Sequence, residues 1–288
     1  MKYAFMHEHS QQFRVRSMAR VLGVSRSGFY DWRARPAGSS ASERRRAAID
    51  GPVHAEFFRK KQRYGGPRLT RELAQQGIVL NEKTVQASLA RQQLCALAGR
   101  KFKVTTNSNH NLPVAPNRLE QDFSAQAPNE KWVGDITYLW TSEGWLYLAM
   151  FLDLYSRAVV GWSMASHMRA ELVCDALRMA LWRRQMPEGV IVHTDQGVQY
   201  CSNDFQQLLR DHKLLSSMSA RGNCFDNAAA ESFFHSLKVE AIHGERIATR
   251  IRMRETVFEY IEIDYNRTRQ HSANGYLSPE AFEAKNVA

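Results

Sequence analysis

The sequence predicts an α/β protein, a mixed sheet with flanking helices, preceded by an all-α helix-turn-helix region. Three observations carry this. Short apolar segments separated by turn residues begin only after Trp132, and then alternate with amphipathic stretches. The front half holds two pairs of helical patterns, each pair broken by a glycine. Between the halves, residues 99–130 are polar and contain three prolines.

The chain has 288 residues, enough for two or three domains at roughly 100–200 residues each. The divisions read as 1–50 (helix-turn-helix region and linker), 51–98 (second helix-turn-helix-like region), 99–127 (linker or arm), 128–245 (sheet-bearing core) and 246–288 (C-terminal helical extension). Residues 13–35 form two short helices around a turn. Ala19 allows close approach, Gly23 permits the turn, and Ser25 caps the second helix. That second helix would carry Arg26, Ser27, Tyr30 and Arg33 toward a groove. Residues 36–48 read as a linker that re-enters a helix. Pro67 then starts a helix bearing Arg68 and Arg71, Gly77 ends it, and Asn81 caps the next. In each pair a plain helical hairpin competes with a DNA-binding unit.

Behind Trp132, Asp135–Trp140, Trp145–Asp153 and Ala158–Ala165 form a three-strand meander. An amphipathic helix at Ala170–Arg184 and a buried strand at Val190–His193 follow. Next come a helix at Asn203–Asp211, a short segment at Leu214–Met218, a helix at Ala228–His243 and a helical stretch from Thr249 to Asn266. The order βββ-α-β-α-β-α is an RNase H-like arrangement.

Hydrophobic residues at 44% and charged residues at 24% argue against wholesale disorder, collagen and coiled coil. The net charge of +10 is uneven. Residues 1–120 hold 22 Lys+Arg against 8 Asp+Glu, net +14, and the remainder holds 17 against 21, net −4. A basic front half suits a polyanion, and nucleic acid above all, because Lys and Arg displace the counterions condensed on phosphates. Cys95, Cys174, Cys201 and Cys224 form no CxxC pair and read as free thiols in a reducing compartment. No apolar run approaches the ~20 residues of a membrane span and the N-terminus has no apolar signal-peptide core, which points to a cytoplasmic protein.

Three acids stand where carboxylates are costly. Asp135 lies within the first strand, Asp195 just after VIVHT, and Glu231 in the first turn of a helix. Taken singly, each also reads as an edge residue or a cap. Together they make sense around a shared divalent cation, for which oxygen ligands suit Mg²⁺ or Mn²⁺.

The motifs around these acids are W132-V-G-D135-I-T-Y, L152-D-L-Y-S-R157, H193-T-D195-Q-G-V-Q-Y200, S217-M-S-A-R-G222-N-C-F-D-N-A and E231-S-F-F-H-S-L-K238. H271-S-A-N-G-Y-L-S-P279 follows them. In this order the sequence resembles the DDE transposases and retroviral-type integrases, specifically the insertion-sequence-three family. Thr194 and Asn274 depart from the family's usual Ser and apolar residue. The resemblance implies an RNase H-like catalytic core in which Asp135, Asp195 and Glu231 hold two ions and cut and join DNA. It implies that Lys238 touches terminal DNA, where the bare sequence also allows a solvated helix lysine. It further implies double-stranded DNA ends and target as partners, a homo-oligomer on DNA, and an upstream-frame protein or fusion. Two rivals remain, a non-catalytic DNA-binding relative and an RNase H-like nuclease that cuts without joining.

Other residues read less sharply. Tyr200 either stacks on an unpaired base or packs in the core. His235 faces the site or is packed, Asp226 and Asn227 cap the Glu231 helix, and Asp153 serves a turn or a salt bridge. Arg246, Arg250, Arg252 and Arg254 form either a DNA-facing strip or a solvated face.

Overall fold

The computed structural model describes residues 1–34, 41–97, 112–219 and 227–286. Contacts divide the chain into two units, Met1–Cys95 and Ala96–Ala288.

In the first unit, α1 (Lys2–Glu8), α2 (Val15–Leu22) and α3 (Arg26–Ala34) bury Met6, Met18, Ala19 and Phe29 against one another. The expected turn is present. Gly23 sits at φ 63°, Val24 N–H reaches Ala19 O at 3.0 Å, and Ser25 Oγ accepts from Gly28 N–H at 2.9 Å. Helix α1 was not expected from the sequence. Seven residues are too few to hold a helix in isolation. It is held by burying Met6, and by the Lys2 ammonium donating to Leu22 O at 2.7 Å.

Helices α4 (Ala41–Arg59), α5 (Gly66–Gln75) and α6 (Glu82–Arg91) pack pairwise and bury Val53, Phe57, Leu69, Leu73, Val85 and Leu89. Asn81 caps α6 as its sequence position suggests, accepting from Thr84 N–H at 2.8 Å.

The second unit is built on a five-stranded sheet in the order β3-β2-β1-β4-β5. Strands β1 (Lys131–Thr141), β2 (Gly144–Asp153) and β3 (Val159–Ala165) form the antiparallel meander. Strands β4 (Ile191–Thr194) and β5 (Leu215–Met218) run parallel to β1. Alternate side chains leave the sheet on opposite faces. Trp132, Ala149 and Phe151 meet α7 (Ala170–Arg183) and α8 (Asn203–Asp211) on one face. Val133, Leu148, Met150 and Leu152 meet α9 (Ala228–Leu237) and α10 (Arg250–Phe258) on the other. Two covered faces around one mixed sheet are the RNase H-like architecture the element order predicted.

The last helices depart from expectation. The stretch expected as one helix to His243 changes at Lys238 into a π-helical turn, Lys238–Ile242. The stretch from Thr249 becomes α10 followed by a ten-residue π-helical segment, Glu259–Thr268. Bonding from i to i+5 widens the turn, so residues five apart share a face. Tyr260 and Tyr265 thereby both enter the core. The segment also covers an edge strand: Asn266 donates to Val159 O and accepts from Val159 N–H, both at 3.0 Å, which completes β3 as another strand would. Helix α11 (Pro279–Asn286) closes the unit. Among the described residues no helix is long and apolar enough to cross a membrane.

Candidate active site

The sheet register brings the first two acids together. Val133 pairs with His193 in the parallel β1–β4 ladder. Two residues further on, the same register sets Asp135 beside Asp195, which follows the last residue of β4. Asp135 is partly buried, and its Oδ1 accepts from Ile136 N–H at 2.7 Å. Asp195 is also partly buried, and its Oδ1 accepts from Gly197 N–H at 2.9 Å. A Cβ at residue 197 would stand 2.9 Å from that oxygen, so glycine allows the backbone to close on the carboxylate.

Glu231 comes from the opposite layer. Helix α9 seats Ala230, Phe233, Phe234 and Leu237 in the core and leaves Glu231 exposed in its first turn. Its charge nevertheless reaches the sheet. Burial, then the neighbouring Asp195 carboxylate, pushes Asp135 up to about 8, and Glu231 adds in the same direction. The Ile136 N–H and Lys238 oppose them. Lys238 is half-buried where α9 passes into its π-helical turn. Burial lowers the pKa of its ammonium, and Asp135 works the other way. One partly buried carboxyl thus feels two acids and one lysine from two other chain segments, the end of β4 and the α9 stretch. That excess of negative charge fits a cation, and the all-oxygen donor set fits a hard divalent one. Among the described residues, no three His, Cys, Asp or Glu side chains are gathered closely enough to hold a metal ion as they lie.

The remaining readings separate cleanly. Tyr200 is 1% exposed and meets Phe205 edge-on at 5.3 Å between centroids, so its ring belongs to the core and offers no face for stacking. Its hydroxyl is raised well above the usual range, by burial first and then by Asp135 and Asp195. His235 is exposed on α9 rather than packed. Asn227 occupies the N-cap position of α9, but its side chain makes no capping bond, and its Oδ1 is buried without a hydrogen-bond partner among the described residues. Asp226, Gly222 and Asn223 lie outside the described residues. Asp153 is fully buried and accepts from Asn129 N–H at 2.9 Å and Tyr155 N–H at 3.0 Å, with Arg184 at 3.6 Å. It therefore has the turn and salt-bridge role expected of it.

The arginine strip divides. Arg250 donates to Trp145 O, Arg254 donates to Met164 O, and Arg252 pairs with Glu255, so at least these three are engaged within the fold. On α3, Arg26, Ser27, Tyr30 and Arg33 are all exposed while Phe29 faces inward. Arg68 on α5 lies over the Tyr64 ring at 5.3 Å.

Comparison with known proteins places this geometry. Two family models, each described as an integrase core domain, match residues 125–224 and 231–287. The transposase InsF for insertion sequence IS3A of Escherichia coli (strain K12) is 59% identical over 288 residues, 100% of either chain. InsF for insertion sequence IS3fB of the same strain is 58% identical over the same span. The insertion element IS600 uncharacterized 31 kDa protein of Shigella sonnei is 43% identical over 269 residues, 93% of this chain and 98% of the relative. The sheet, its acids and these matches define an integrase-core protein. The chain belongs to the insertion-sequence-three family of transposases.

Proposed function

We propose that this transposase cuts and joins DNA at the ends of its own insertion sequence, by phosphoryl transfer at Asp135, Asp195 and Glu231. The observation that supports the reading is the β1–β4 register, which sets Asp135 beside Asp195, with Glu231 near enough for its charge to raise Asp135. Two Mg²⁺ or Mn²⁺ ions held by these acids would activate the attacking oxygen and stabilise the leaving 3′ oxygen of an in-line displacement. Asp135 on β1 and Asp195 just past the parallel β4 would hold the ions from neighbouring positions of the sheet. Glu231 approaches on a helix from the other layer. Lys238, whose charge acts on Asp135, would hold a terminal phosphate. No side chain needs to form a covalent bond to DNA. Water attacks when an end is nicked, and the freed 3′-OH attacks when strands are joined.

The basic front half would hold the inverted-repeat ends, with Arg26, Ser27, Tyr30 and Arg33 on the open face of α3 and Arg68 and Arg71 on α5. Joining needs two ends in one complex, which calls for a homo-oligomer on DNA, with or without an upstream-frame partner. The test is strand transfer from a pre-nicked end in Mg²⁺. Asp195→Ala should lower joined product by at least ~10³-fold, the scale of losing a charged group that acts on the transition state. Unchanged joining would overturn the assignment. Cutting without joining by the unaltered chain would make it a nuclease instead.

A further inference from the structure

We propose that the cleft between α4 and α6 is a clamp for the phosphate backbone of duplex DNA. This rests on the reading of the front half as the part that holds DNA, and it names the surface. The cleft has a volume of about 370 Å³, and Arg45, Arg46, Lys83 and Arg91 all line it, with the hydroxyls of Ser42 and Thr84. No acid is among the lining residues. Asp50, below them, accepts from Ser88 Oγ and from Arg91, each at 2.5 Å, and so anchors Arg91 to α4. Among the described residues Arg45, Arg46 and Lys83 make no ion pair, and all three are exposed.

Asp50 answers Arg91 and partly Arg46, so four cations share one carboxylate; the excess positive charge is stabilised by an anion laid between them. The N-terminal turn of α6 also opens here, with Lys83 and Thr84 in its first turn, and its partial positive charge has the same sign. The form of the cleft selects the anion. Long exposed side chains from two helices line an open trough, which suits successive phosphates of a strand better than one small enclosed ion. Such contacts fix position and carry no base information, so the clamp grips any duplex. Sequence reading stays with the exposed face of α3.

The test uses the full chain and measures affinity against salt concentration, for an end duplex and for a random duplex. Each phosphate contact contributes about 0.9 to the slope of log K against log[salt]. The R45A/R46A/K83A variant should lose about two to three units of slope and bind both duplexes at least ~10-fold more weakly at moderate salt. Its thermal melt by circular dichroism should stay unchanged. If the triple variant melts early, R45Q/R46Q, which keeps the helical stems, should lose about one to two units of slope. An unchanged slope in folded variants overturns the clamp. If removing residues 1–95 then still abolishes end binding, the front half holds DNA by another surface. If that deletion also leaves binding intact, the underlying reading fails with it. Inorganic phosphate is the competing source: displacement of DNA by millimolar phosphate at constant ionic strength would mark a small-anion site and overturn the clamp.

Discussion

The two units use arginine differently. In the first, Arg26, Arg33, Arg45 and Arg46 stand in solvent, and Arg59 and Arg91 pair with Glu56 and Asp50 while still partly exposed. In the second, Arg269 is 8% exposed and pairs with Glu240 at 2.8 Å, and Arg184 is held between Asp153 and Glu283. The same side chain supplies accessible charge to a unit with small cores, and cross-links to a unit whose sheet is covered on both faces. Net charge alone blurs this. The front half is +14 and the back half −4 by composition, and neither number says which charges the fold has already paired. Charge that is available to a ligand depends on where the fold has already placed a partner.

The strongest way to break this contrast is to remove the first unit. Without residues 1–95 the chain should lose sequence-specific end binding by ~10³-fold or more, the usual gap between specific and non-specific affinity. Retained specific binding in a gel-shift titration would end the division of labour. The next is Glu240→Ala. It leaves the Arg269 guanidinium buried with Ser236 Oγ but no carboxylate, and takes the acceptor from the Tyr260 hydroxyl. Urea unfolding should show a loss of about 3–5 kcal/mol, against near zero for Arg33→Ala in the first unit.

The third acts through pH. An unfolded aspartate is deprotonated above about pH 4. Asp135 keeps its proton to about 8 in the folded, metal-free chain. Between those values the native state binds the extra proton, so its stability falls as pH rises, by up to about 1.4 kcal/mol per pH unit. Thermal melts in a chelator should show this decline from pH 4 to 8. Asp135→Asn should flatten it, and a decline that persists in that variant would assign it elsewhere. Below pH 4 both states are protonated and the contribution is constant.

Much of this was legible in the sequence. Alternation and turn residues located β1 to β3 to within a few residues, and the motif order located the three acids. Gly23, Ser25 and Asn81 announced their turns and caps because those signals are local. What was hidden depends on distant partners. Nothing local distinguishes Arg269 or Arg184 from a solvated arginine, since Arg184 and Glu283 meet across 99 residues. The π-helical segment Glu259–Thr268 brings two tyrosines into one core, a placement that helix propensity does not announce. Asn274, an unusual residue in its motif, finds its reason in Ser156 O at 2.6 Å. The Arg44–Arg46 run was visible as charge, but only the packing of α4 on α6 turns part of it into a cleft.

The clasp of Glu283 on Arg184 and Ser156 bears on how the protein is made. All three acids are synthesised before α11, yet Arg184 waits for a carboxylate that arrives about fifty residues after Glu231. A chain cut short between 270 and 282 would carry every acid of the site, Lys238 and the π-helical segment, and still lack the tie that Glu283 makes to Arg184. A reading frame interrupted late therefore yields a product that is chemically complete but mechanically unfinished, and its loss of activity would trace to a missing fastening rather than a missing ligand.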